Sequence, residues 1–140
     1  MGMRPRYKIL EHTADVGIEV EEEGLERALE TAVLAMFDLM LDLEKVEPKE
    51  ERVVEVGGED LGDLVVSLLE EFLFLLDTEG FVPREVRVLE LSLDPPRVRV
   101  MARGERADPR RHGIHLEVKA VTRHMLEVDP RGRLRILFDV

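Results

Sequence analysis

The spacing of apolar residues divides the chain into two helices and a series of strands. From Leu25, the positions Ala28, Leu29, Ala32, Val33, Met36, Met40 and Leu43 recur at intervals of three and four, which marks one buried helical face, and Pro48 ends the pattern. This spacing predicts a helix from Leu25 to Leu41. A second helix is predicted after Asp60, a residue type that caps helix N-termini, and before Gly80, placed to terminate it. Leu61, Leu64, Val65, Leu68, Leu69, Phe72, Leu75 and Leu76 keep the same period there, and Val66, Leu73 and Phe74 widen the stripe. At about 17 residues and roughly 25 Å, and apolar around much of its circumference, this helix is expected to be the buried one.

Alternation with a period of two marks the strands. Tyr7 to Leu10 and Gly17 to Glu22 precede the first helix, the latter setting Ile18 and Val20 against Glu19 and Glu21. Arg52 to Val56 lies between the helices, punctuated by Gly57-Gly58. Glu85 to Leu93, Arg97 to Arg106, Ile114 to Thr122, Met125 to Val128 and Leu134 to Asp139 follow, with turns at Asp94-Pro95-Pro96 and Asp129-Pro130-Arg131-Gly132. Consecutive strands without intervening helices pair antiparallel. The expected class is therefore α+β: antiparallel sheet structure packed with two main α-helices in a single two-layer domain over residues 1–140. Arg106 to Gly113, containing Asp108-Pro109-Arg110-Arg111-His112, reads as a mobile basic loop.

Composition narrows the chemistry. A chain of 140 residues buries roughly two thirds of the surface its unfolded form exposes, enough for one core. Without cysteine, disulfides, thiolate metal sites and cysteine nucleophiles are excluded. The absence of Asn and Gln beside 36% charged residues fits the amide-poor, ion-pair-rich usage of thermophile proteins. No apolar stretch suits a membrane span or a secretory signal, so a soluble cytoplasmic protein is expected. A net charge of −11 works against direct nucleic-acid binding and points to a basic protein partner. There is no phosphate-binding glycine loop, no nucleophile elbow and no dinucleotide fingerprint. Ser67 and Ser92, the only serines, have no neighbouring histidine, and the few aromatics, with no tryptophan, supply no base-stacking platform.

The remaining ionisable residues suggest a site at the joined ends of the chain. Asp139 and Val140 close the strand-like run Leu134 to Phe138, placing a side-chain carboxylate and the main-chain carboxylate within one residue. Two such charges about 4 Å apart repel by roughly 4 kcal/mol at an effective dielectric near 20, so ordering them asks for a cation. Glu11-His12-Thr13-Ala14-Asp15-Val16-Gly17 is a second such cluster between two strands. A site of Asp15, Asp139 and Val140 is all oxygen, which suits calcium or magnesium better than zinc, and its shell needs waters, carbonyls or a partner's ligands to be complete. The alternative is that His12 bonds to backbone, Asp15 caps a turn and Asp139 is merely solvated. Lys119, alone among arginines after Lys49, is either a solvent-facing strand residue or an ammonium placed beside carboxylates or a phosphate, with Thr122 and His124 facing the same pocket. Asp77 to Phe81 reads first as a polar turn ending the second helix.

Taken together, His12 to Ile18, Leu73 to Phe81, Val118 to His124 and Phe138-Asp139-Val140 resemble the archease family, in order and over the whole chain. The resemblance implies a small acidic protein that is not itself an enzyme. It would activate an RtcB-family RNA ligase in tRNA splicing by promoting guanylylation of the ligase's active-site histidine, restoring multiple turnover and broadening nucleotide triphosphate use. It implies a divalent metal, calcium first, with magnesium or manganese as alternatives, on Asp15, Asp139 and Val140. It also raises His12, Asp77, Glu79, Lys119, Thr122 and His124 as functional surface. Arg123 departs from the tyrosine common at that position. Two rival readings are a metal-dependent phosphoester hydrolase, with His12 or His124 as general base, and an acidic chaperone that needs no metal.

Overall fold

A computed structural model describes residues 5–12 and 15–140, and the side chains of Glu11 and His12 lie outside that description. Four strands form one antiparallel sheet in the order β1-β2-β7-β6: β1 is Tyr7–His12, β2 Asp15–Glu21, β6 Ala120–Asp129 and β7 Arg133–Asp139. Three form a second, in the order β3-β5-β4, from Glu50–Gly57, Pro96–Arg106 and Phe81–Leu93. Two long helices, α1 (Leu25–Met40) and α2 (Leu61–Glu79), each pack against strands of both sheets. The α+β class, the antiparallel pairing and the two main helices are those the sequence predicts.

The core forms where the apolar stripes converge. Ile18 and Val20 of β2, and Leu134, Ile136 and Phe138 of β7, point from one sheet, and Val98, Val100 and Ala102 of β5 from the other. Between them Phe37 of α1 meets Phe72 of α2 edge to face, ring centroids 6.4 Å apart, a favoured aromatic geometry. Asp60 caps α2 by accepting from the Asp63 N–H at 2.7 Å, and Asp63 accepts from the Glu59 N–H at 2.9 Å. Gly80 ends the helix in the left-handed conformation, φ 68°.

Three expectations are corrected. α1 is the more completely buried helix: alanines at 28, 32 and 35 let it pack closely, whereas Phe74 of α2 is 57% exposed. Residues 114–119 are not strand, because this segment crosses from α1 to β7, donating from the His115 N–H to the Met40 carbonyl and from the Lys119 N–H to the Asp139 carbonyl, both 2.8 Å. Strand pairing resumes only at Ala120, and the two strands expected from Ile114 to Val128 merge into β6 around a bulge in which residues 123–126 face Ile136 alone. Met125 adopts φ 55° there, and Arg123 donates to Asp63 at 2.6 Å, tying the bulge to the start of α2.

The stretch expected to be a mobile basic loop is instead pinned. Asp108 caps a short helix, α3 (Pro109–His112), and His112 is fully buried. The Asp108 N–H donates to His112 Nδ1 at 3.0 Å, so the ring proton sits on Nε2, which donates to Glu105 at 2.9 Å. Glu105 also accepts from the Glu47 N–H at 2.8 Å and from Arg111. Burial alone would raise the Glu105 carboxyl, but the Glu47 N–H, His112 and the Arg111 charge together hold it below the usual carboxylate range.

Candidate functional site

Antiparallel register brings Asp15 and Asp139 together. They are directly opposed across β2 and β7, with His12 opposite Asp15 on β1 and Ala120 opposite Asp139 on β6. Directly opposed residues share a face, their Cβ atoms about 5 Å apart. Alternation sends Val16, Ile18, Ile136 and Phe138 inward, so Asp15 and Asp139 sit on the outward face. Gly17 shapes the row beside them: a Cβ there would lie 2.4 Å from Leu137 Cδ2 and 2.7 Å from the Ile136 carbonyl oxygen, so only glycine lets Leu137 lie flat across β2.

The neighbouring rows show what is unusual about this one. Glu21 faces Arg133, which faces Asp129, and Glu19 faces Arg135, which faces Glu127. In each, β7 supplies an arginine between acids. At the Asp15 row, β7 supplies a third-kind partner, another carboxylate, and no cation among the described residues pairs with either aspartate. Like charges directly opposed destabilise a strand pair. An oxygen-rich, cation-deficient row of this sort fits a hard divalent ion. Among the described residues, no three His, Asp or Glu side chains gather closely enough to hold a metal.

The other candidate residues fall into different places. Asp77 and Lys119 line a common pocket of about 430 Å³ walled by Met40, Leu41, Leu73, Leu76, Leu116 and Val118. Lys119 borders the aspartate row as well, through its backbone bond to Asp139. Thr122 lies one alternate position from Ala120 on β6, and its hydroxyl accepts from the His124 N–H at 2.9 Å. His124 is exposed at the bulge. Glu79 is drawn into structure, accepting from Arg52 Nε at 2.8 Å while the Arg52 guanidinium lies over the Phe81 ring. His12 is placed only by its backbone. Thr122 and His124, expected to share a pocket with Lys119, do not line it, and sequence reasoning missed the buried Glu105–His112 pair, although Asp108-Pro109 is a capping residue followed by an N1 proline.

A family model described as the Archease protein family (MTH1598/TM1083) matches residues 7–140. The chain belongs to the archease family. A protein archease from Pyrococcus abyssi is 42% identical over 131 residues, covering 91% of this chain and 92% of that protein. Another from Methanopyrus kandleri is 43% identical over 124 residues, covering 88% and 89%. The solution structure of Methanobacterium thermoautotrophicum protein 1598 matches with a TM-score of 0.77 and 32% identity, covering 99% of this chain and all of that one. The archease fold is thus shared along essentially the whole chain. Among the described residues, no helix is long and apolar enough to cross a membrane.

Proposed function

We propose that this archease activates an RtcB-family tRNA-splicing RNA ligase, promoting guanylylation of the ligase's active-site histidine, multiple turnover and use of a wider range of nucleotide triphosphates. Family membership supports the reading, and the observation that carries it is the unbalanced Asp15–Asp139 row at the edge-to-edge junction of β2 and β7. In this reading the protein is a non-catalytic cytoplasmic partner of the ligase and makes no direct contact with nucleic acid of its own.

Asp15, Asp139 and Val140 would hold the divalent cation, calcium first and magnesium or manganese otherwise, with backbone carbonyls, water or ligase groups completing the shell. Such an ion supplies charge neutralisation and orientation for phosphate oxygens. The chain's own contribution is positional. β2 and β7 hold the two carboxylates in fixed register, Gly17 and Leu137 fill the row beside them, and the Lys119 N–H holds the Asp139 carbonyl. The surplus of negative charge favours encounter with a basic ligase surface.

Multiple-turnover RNA ligation by the purified ligase with GTP and a divalent metal tests this directly. Addition of the wild-type protein is expected to raise turnover at least tenfold, and Asp139→Ala to remove most of that gain while its melting curve shows it folded. Equal stimulation by both proteins would eliminate a metal role; stimulation by neither would eliminate the activator reading.

A further inference from the structure

The pocket next to the aspartate row is built rather than incidental. Its outer wall, residues 107–119, is tethered at three points: the Ala107 N–H to the Gly80 carbonyl at 2.7 Å, the His115 N–H to the Met40 carbonyl, and the Lys119 N–H to the Asp139 carbonyl. Between them the Asp42 N–H donates to the His112 carbonyl at 2.7 Å, and His115 pairs with Asp42 at 2.8 Å. The walls are aliphatic, and the apolar surface continues outward at Ile114, 49% exposed, and Phe74, which sits one helical turn before Asp77 on the same side of α2. A half-open apolar cavity of this size, kept open by backbone bonds, has the form of a binding site.

The rim tells what fits. Asp77 and Glu117 line it without an ion-pair partner among the described residues, and Lys119 is its single cation. The Asp15–Asp139 row adjoins it through Lys119, and the molecule as a whole carries −11. Phosphates would face carboxylates here, and no aromatic ring lines the walls to stack a base. We infer that the pocket docks a basic segment of the partner ligase, an aliphatic or aromatic side chain entering between Leu76 and Leu116 with flanking Arg or Lys residues meeting Asp77 and Glu117. This rests on the activator reading and specifies how the ligase is gripped so that the carboxylate row is presented to it. Buried apolar anchors ringed by charge contacts are the usual centres of such interfaces.

The test is a titration of wild type and variants into the multiple-turnover ligation assay, reading the half-saturating concentration, with direct capture of the immobilised ligase alongside. Ile114→Arg, at a half-exposed position, should raise the half-saturating concentration at least tenfold, and Glu117→Lys several-fold. Val53→Arg, a comparably exposed position on β3 in the other sheet, should stay within twofold of wild type. Melting curves establish that each variant is folded, and Glu117→Lys, wholly on the surface, serves if Ile114→Arg is not. Wild-type half-saturation for both pocket variants, or equal loss with Val53→Arg, would overturn the docking site while leaving the activator reading standing. An absence of wild-type stimulation would overturn both.

Discussion

At the scale of single residues, the sheet carrying the candidate site balances its charges row by row until its last row. Replacing Asp139 by arginine would extend the acid–arginine pattern of Glu21–Arg133 and Glu19–Arg135 to Asp15. Asp139→Arg is therefore expected to raise stability by about 0.5 kcal/mol in metal-free denaturant titrations while abolishing activation. Added calcium should raise the melting temperature of the wild type, because an ion bound only by the folded state stabilises it, and should leave Asp139→Ala unmoved; an equal rise in both would place the ion elsewhere. Glu105 predicts a pH dependence. Its partners hold its carboxyl below the usual range, so the folded chain binds that proton more weakly than the unfolded one. The resulting stabilisation is complete above the ordinary carboxylate range and disappears as pH falls through the lower folded value. Glu105→Gln should cost about 2 kcal/mol near pH 7 and progressively less in acid, measured by denaturation at a series of pH values.

At the scale of elements, two glycines hold positions that most side chains would disturb, for different reasons. Gly17→Ala drives a methyl into Leu137 and the Ile136 carbonyl, so it should destabilise by about 2 kcal/mol and weaken activation by disturbing the register two residues from Asp139. A melting temperature equal to wild type would show that β7 yields more easily than its packing implies. Gly80 is conformational rather than steric: nothing stands closer to its missing Cβ than 3.5 Å, but φ is 68°. Helix existence and caps were legible because apolar period and capping chemistry are local. The fate of residues 114–119 was not, since a segment alternating like a strand forms one only if a neighbouring strand lies within hydrogen-bonding reach. Here Met40 at the end of α1 and Asp139 take those bonds instead.

At the scale of the molecule, charge is distributed unevenly. The outward face of the second sheet cancels its own charge through pairs such as Arg97–Glu55, Arg99–Glu90 and Arg103–Glu51, at 2.6, 2.9 and 3.4 Å. Exposed pairs of this kind contribute little individually. The surplus acid lies elsewhere, including the aspartate row and the pocket rim. Activation should accordingly need more protein as ionic strength rises, with half-saturation increasing several-fold between roughly 50 and 300 mM salt, because screening weakens long-range attraction. A salt-independent half-saturation would rule out electrostatic steering of the encounter.

The sequence by itself determined the two helices, the antiparallel strands and the residues Asp15 and Asp139 as a candidate site, because periodicity, capping and the order of short motifs are properties of neighbouring residues. Only the tertiary structure decided that those aspartates face each other, that Arg133 and Arg135 stand opposite the acids in the rows beyond Gly17, and that Lys119 and Asp77 share a pocket. Each of these depends on strand register or on the meeting of segments far apart along the chain, and register is set by which side chains the whole core can bury at once.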